Sequence, residues 1–427
     1  MSSKRRKKRK LNIIGILMII LLLLLLLVII YKLVIGNKDK NINEDNKILM
    51  TDFVNTDLET VKKKVNDYGI NIDISYEYSD TIEKNKVISQ SIKSGTEIKN
   101  EDVLKVVVSL GKLDKEKLKI DGINELGNVP IMMYHGIKNM KNSDTVNTGG
   151  NVDKDGYTRT VEAFRNDLEM YYKSGYRMVK LSDYINGKID VEYGYSPIIL
   201  TFDDGNDNNI KVTGLDNDGN IIIDPNSAVG VLESFKKKYP DYNVTAIFFV
   251  TSALFNQPEY NEKILNWLVN NGYEVGNHTK GHNNLSKTST SETQEVVGYV
   301  YNQLENILGD KYSKIIALPF GSPYLKSHAN YQYVLNGEYN GKKYESYAAL
   351  RVGWEPEVSP FNKEFDRTFL KRCRAYDNNG VDFDIEMVFR MLEKTRYISD
   401  GNINTITTSI SNKNIINEND REVILYE

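Results

Sequence analysis

At residues 197–208 the chain reads "PIILTFDDGNDN". Ile198, Ile199 and Leu200 run without polar alternation, the pattern of a strand buried on both faces, and Gly205 turns the chain away. Asp203 and Asp204 sit side by side at the end of that apolar run. Adjacent carboxylates repel each other and are costly to desolvate. Two arrangements make them tolerable: a bound cation beside a catalytic base, or a solvated acidic turn.

Outward from this point, strand and helix signals alternate over residues 129–427. "VPIMMYH", "YRMVKL", "NVTAIFFV", "YEVGNH" and "KIIALPFG" read as strands, and "TVEAFRNDLEMYYKSG" and "NEKILNWLVNNG" read as helices between them. Such alternation predicts a parallel sheet or barrel covered by helices, with chemistry at the carboxyl ends of the strands. His135, Asp203, Asp204, His278 and Pro319 all follow strand-like runs. The stretch "LDNDGNIIID" reads as an inserted surface hairpin.

The chain has four histidines, and two of them, His278 and His282, fall in "GNHTKGH". An HxxxH pair alone is weak evidence for a metal. Joined to an aspartate it forms a His-His-Asp set suited to zinc or a similar divalent ion, with a coordination position left for water. Such an ion lowers the pKa of water and offsets the repulsion within Asp203–Asp204. Cys373, the single cysteine, excludes an intramolecular disulfide and reads as an inward-facing strand residue.

"LTFDDG", "NHTKGH" and "LPFG" resemble the first three motifs of the polysaccharide deacetylases, the NodB-homology family of carbohydrate esterases. The resemblance covers 129–427 and implies an α/β fold, a distorted (β/α) barrel. It implies Asp203 as catalytic base, Asp204, His278 and His282 as ligands of a divalent metal ion such as Zn2+, and the turn Pro319, Phe320, Gly321 lining the site, with the Phe320 N–H on the oxyanion. Two departures stand out. Ala317 occupies the place of an arginine that steadies the base, for which Arg351, Arg372 and Arg374 are candidate substitutes from later strands. The tail "NINTITTSISN" lacks the histidine of the usual final motif. "PIMMYHGI" resembles the opening strand of circularly rearranged relatives, which implies His135 as the general acid. "AALRVGWEPEVSPFNKEFDRTFLKRCRAY" also resembles that subgroup. Its Trp354 has two readings, a platform against a sugar or the acid histidine, and an ordinary core tryptophan. His328 lies away from any motif and reads as a surface residue.

The formal net charge is −3, but "KRRKKRK" at 4–10 carries seven positive charges, so the remainder is mildly acidic and offers no general field for nucleic acid. Residues 13–30, "IIGILMIILLLLLLLVII", carry no charge and no small-residue cleavage site follows. Such a run is long enough to span a bilayer, and its basic flank stays in the cytoplasm. The organisation expected is a cytoplasmic tail (1–11), a transmembrane signal anchor (12–35), a small α+β module (47–112), a linker (113–128) and the barrel domain (129–427), the last exposed outside the cell. The module has Leu58, Val61, Val65 and Tyr68 on one helical face, then three strand-like runs. It resembles a PASTA domain, a wall-binding unit, although Thr51 and Ile92 stand where prolines are usual; a simple spacer is the plainer reading.

Together these features point to a membrane-anchored extracellular enzyme that removes N-acetyl groups from peptidoglycan amino sugars, N-acetylglucosamine first among them, with lysozyme resistance as the implied outcome. Two alternatives stay open: a deacetylase of an N-acetylglucosamine exopolysaccharide, and a non-catalytic wall-binding protein that keeps the fold.

Overall fold

The computed structural model describes residues 47–417 and 420–427; the expected tail (1–11) and membrane anchor (12–35) lie outside the described residues. Among the described residues no helix is long and apolar enough to cross a membrane. The chain divides into two compact units, one ending at Asp73 and resuming over Ser89–Val106, the other formed by Ile74–Ile88 and Val107–Glu427.

Helix α1 (Leu58–Tyr68) starts at Asp57, whose carboxylate accepts the Glu59 N–H at 3.0 Å, and stops at Gly69 in the left-handed region. Leu58, Val61 and Val65 form its buried face. Strands β1 (Asn71–Glu77), β2 (Val87–Gln90) and β3 (Val103–Ser109) pair in the order β1-β3-β2. Alternate residues of β3, Leu104, Val106 and Val108, are buried, as a strand with one wet face requires.

The larger unit is built on eight parallel strands. They are β4 (Ile131–Tyr134), β5 (Tyr176–Met178), β6 (Ser196–Phe202), β7 (Ile247–Val250), β8 (Glu274–Asn277), β9 (Ile315–Ala317), β10 (Ala348–Leu350) and β11 (Cys373–Arg374). Helices α2 (Val161–Lys173), α3 (Ala228–Lys238), α4 (Asn261–Asn270), α5 (Thr290–Leu308) and α6 (Ile385–Leu392) alternate with them. The strand order is β10-β9-β8-β7-β6-β4-β11, with β5 paired to the start of β6.

Alternation within each strand feeds two cores. Ile131, Ile199, Ile247, Phe249, Ala317 and Leu350 pack together on one face of the sheet. Met132, Leu200, Phe248 and Val275 point the other way, under Phe164, Leu232, Leu268 and Leu304 of the helices. Ile131 of β4 and Leu350 of β10, from opposite sides of the order, meet in the first cluster, so that face is concave. Leu370 bridges Leu350 of β10, and Cys373 pairs with Met132 of β4, so residues 370–374 draw the two ends of the sheet together. The α/β fold expected from the sequence is present, and its distorted (β/α) barrel takes the form of a curled parallel half-barrel. Its last two strands are three and two residues long, too short to complete a ladder.

The expected hairpin is present as Val212–Leu215 paired with Ile221–Ile223. The histidine-free tail forms a strand, Thr405–Ser409, paired in parallel with Glu422–Tyr426 outside the main sheet. Cys373 is fully buried, as its strand neighbours suggested.

Candidate active site and metal centre

All seven residues of β6 are buried. Continuing its alternation, Thr201 and Asp203 face the concave side, where the buried Arg372 lies. Arg372 grips Asp203 with both Nη atoms at 2.7 Å and also reaches Thr201 Oγ1 at 3.2 Å and the Arg351 carbonyl at 3.1 Å. The next residue breaks the alternation: Asp204 has φ 75° and turns its carboxylate away from Asp203's. Gly205 completes the turn at φ 67°, and a Cβ there would lie 2.0 Å from the Leu254 carbonyl oxygen. Neighbouring carboxylates thus acquire different surroundings by one left-handed step.

Asp204 Oδ1 lies 3.4 Å from His278 Nε2 and 3.5 Å from His282 Nε2. One donor atom from each of these three residues falls within 4.8 Å of the others. The HxxxH segment is a tight loop after β8, not a helical turn; Thr279 (φ 66°) and His282 (φ 53°) are left-handed. His278 Nδ1 bonds the Ala317 carbonyl at 2.9 Å, which leaves its Nε2 buried and without a hydrogen-bond partner. An orphaned buried nitrogen facing a carboxylate and a second imidazole fits a cation, and a neutral His Nε2 is a standard ligand atom. Burial disfavours the imidazolium at His278, yet Asp203, Asp204 and the Ala317 carbonyl together raise its pKa. The same field favours a positive ion. The donor set therefore suits a divalent metal.

His135 follows β4, and its Nε2 lies 3.9 Å from Asp203 Oδ2. Its strand end is held by the acidic turn itself: Asn209 Nδ2 donates to the His135 carbonyl at 2.6 Å, and Asn208 Oδ1 accepts the Ile137 N–H at 2.9 Å. The Tyr157 ring meets the His135 ring edge-on at 4.9 Å. Burial lowers the His135 pKa, partly opposed by Asp203 and Asp204. Burial also works against ionisation of Asp203, but Arg372 outweighs it and holds the carboxyl below the usual carboxylate range.

In the 319–321 turn, Phe320 has φ 58° and its exposed ring lies 4.6 Å from His282. Asp204, Thr279, His282 and Phe320 are four non-glycine residues in the left-handed region around one centre, the kind of strain that collects at functional sites. Pro319 and Gly321 are buried beneath it.

The structure thus brings together Asp203, Asp204, His135, His278, His282 and the 319–321 turn. Trp354 is 49% exposed, so the core reading of that residue is excluded; it lines a cavity with Arg351 and Arg374. His328 is half-buried, and its Nδ1 accepts the Asn330 N–H, so it is less exposed than expected. Of the three candidate arginines, it is Arg372 that pairs with Asp203. Asn208 and Asn209 escaped the sequence reading, although the first closes the quoted twelve-residue segment and the second follows it directly.

Residues 48–110 match the family model of the PASTA domain, and residues 191–336 match that of the polysaccharide deacetylases. The second match contains Asp203, Asp204, His278, His282 and the 319–321 turn, while His135 and Arg372 lie outside it. No curated protein matches the chain. Among solved structures, the Streptococcus pyogenes deacetylase PplD in complex with acetate is 17% identical over 59% of this chain and 93% of its own, with TM-score 0.42. A de-N-acetylase from Aggregatibacter actinomycetemcomitans is 14% identical over 57% and 94%, with TM-score 0.38. A mutant of the Bacillus subtilis peptidoglycan deacetylase PdaC is 26% identical over 32% and 55%, with TM-score 0.22.

Proposed function

We propose that this chain, which carries a polysaccharide deacetylase domain behind a PASTA domain, removes N-acetyl groups from peptidoglycan amino sugars outside the cell, tethered by residues 12–35. The observation that carries the reading is one constellation. Three converging donor atoms lie within 4.8 Å of one another, and next to them Asp203 sits 3.9 Å from His135.

A divalent ion, Zn2+ in this proposal, would be held by Asp204, His278 and His282 and would supply Lewis acidity toward the acetyl carbonyl and toward water. Asp203, ionised by its pairing with Arg372, accepts the proton that water loses on attacking the carbonyl carbon. The Phe320 N–H holds the developing oxyanion. His135 returns a proton to the amide nitrogen as the C–N bond breaks, leaving acetate and a free amine on the sugar. The 3.9 Å between Asp203 and His135 is short enough for a small adjustment to pass the proton between them, so one water molecule balances the reaction. Wall recognition by the PASTA domain favours peptidoglycan over a secreted polysaccharide, and a de-acetylated wall would resist lysozyme.

Acetate release from purified peptidoglycan and from N-acetylglucosamine oligomers tests this. The expected result is metal-dependent release that chelation abolishes and that Asp203→Asn and His135→Ala reduce by about 10²-fold or more. His278→Ala should also lose stoichiometric metal binding, read by calorimetry. Wild-type protein releasing no more acetate than those variants from either material would overturn the enzyme reading; release from the oligomers alone would move the substrate toward an exopolysaccharide.

A further inference from the structure

Helix α2 carries one residue that its surroundings do not suit. Val161, Phe164, Leu168 and Tyr171 form its buried face, and Asp167 sits among them, 7% exposed. A carboxylate on a core face is costly to desolvate unless a cation pairs with it. Arg159, also buried, supplies the cation: its Nη2 lies 2.7 and 3.0 Å from the two Asp167 oxygens. An apolar pair of similar volume often fills such a space at no loss of stability. The proposed chemical steps leave both residues unused.

What the pair holds is the strand end behind His135. The Tyr134 hydroxyl donates to Asp167 Oδ2 at 3.1 Å and lies 2.8 Å from the Tyr171 hydroxyl. The Tyr134 ring stacks on Phe202 at 5.4 Å, and the two residues are register partners in β4 and β6. They immediately precede His135 and Asp203, and the Asp203 N–H donates to the Tyr134 carbonyl at 2.9 Å. A tilt of Tyr134 is therefore felt in the 3.9 Å separation of His135 and Asp203. Arg159 acts on the other flank. Thr158–Thr160 pairs with Gly136–Lys138, Arg159 opposite Ile137, and Tyr157, just before this strand, meets the His135 ring. Arg159 Nη1 also donates to Asn151 Oδ1 at 2.8 Å and to the Gly149 carbonyl at 3.0 Å, so the guanidinium is fixed on both sides.

We propose that Tyr134, Asp167 and Arg159 are positioning residues: from the helix-covered face of the sheet they set where His135 stands relative to Asp203, and hence how well it protonates the departing amine. The inference rests on the deacetylase reading and deepens it.

The leaving group separates this role from plain support of the fold. An amine departs only with a proton, whereas 4-nitrophenolate departs without one, so ester cleavage draws on Asp203 but not on His135. Full-length protein is assayed on an N-acetylglucosamine pentamer and on 4-nitrophenyl acetate, with His135→Ala marking the full loss of the acid. Tyr134→Phe keeps the ring stack and removes only the hydroxyl. Its kcat on the pentamer should fall about tenfold with KM unchanged, and its rate on the ester by less than about twofold. The paired replacement of Asp167→Leu with Arg159→Met should show the same split more strongly. Loss of both rates together in Tyr134→Phe, or of neither, would reduce the network to structural support and overturn the proposal. His135→Ala losing both rates alike would overturn it too, by removing the acid that the network serves. Wild-type protein inert on the pentamer and on peptidoglycan removes the deacetylase reading beneath it.

Discussion

Arg372 shows how one side chain can replace a missing motif residue without sharing its place in the sequence. Ala317 cannot steady Asp203, yet its backbone still serves, since its carbonyl fixes the His278 tautomer. The guanidinium that pairs with Asp203, the proposed base, arrives instead from residue 372, beside β11, and is buried with it. Removing one partner of a buried pair leaves an uncompensated charge, worth about 3–5 kcal/mol. Arg372→Met should therefore lower thermal stability by that order and reduce kcat by about 10²-fold or more, while Arg372→Lys, lacking the planar fork, should recover stability more than rate. Differential scanning calorimetry and single-turnover acetate release measure the two effects. Equal activity in Met and wild-type proteins would show that Asp203 needs no such partner.

At the scale of elements, β6 and the turn after it do most of the positioning. The strand supplies a carboxylate on the concave side; the left-handed step at Asp204 supplies the second in another direction; Asn208 and Asn209 then clamp the end of β4 that bears His135. Gly205 allows the turn to pass close under the Leu254 carbonyl. Gly205→Ala combines a left-handed alanine, about 1–2 kcal/mol, with a backbone clash, so a loss of at least about 2 kcal/mol is expected together with weaker metal binding. Gly219, also left-handed at φ 80° but with nothing within 4 Å of an added Cβ, is the control and should show only the conformational part. Denaturant unfolding and metal titration of the two variants check this; similar losses in both would mean that the close approach is relaxed at little cost.

Across the larger unit, two segments far apart in sequence are tied through a buried acid pair, Glu125 and Asp400. Glu125 accepts the Thr407 N–H and the Tyr397 hydroxyl, each at 2.9 Å, and Asp400 accepts the Thr405 and Thr407 hydroxyls at 2.8 and 2.5 Å. Burial raises both carboxyl pKa values, Glu125 further through the nearby Asp400, whose N–H donates to Glu125 Oε1 at 3.3 Å. A raised folded-state value means that the native protein holds more protons than the unfolded chain above the ordinary carboxylate pKa of about 4. The pair's contribution is therefore full only below about pH 4 and is lost progressively as pH rises toward and through the raised values. Asp400→Asn keeps the Oδ1 acceptor and lets the threonine hydroxyls reorient. Its melting temperature relative to wild type should rise steadily between pH 5 and 8, by roughly 2 °C for each kcal/mol gained. A difference that is flat or falling with pH would exclude proton sharing in this pair.

By itself the sequence determined the apolar β6 run, the helix-and-strand alternation, the acidic turn and the HxxxH spacing, because each is a local pattern of hydrophobicity or chemistry within a few residues. The acid pair of Glu125 and Asp400, the joining of the sheet ends by Leu350 and Leu370, the exposure of Trp354 and the choice of Arg372 among three arginines were decided only by the tertiary structure. Each depends on which distant segments the curled sheet brings to one place. Asp203 and Arg372 are 169 positions apart, and no local preference encodes a contact of that span. Only closing the sheet, driven by burial of its concave face, sets the guanidinium against the carboxylate.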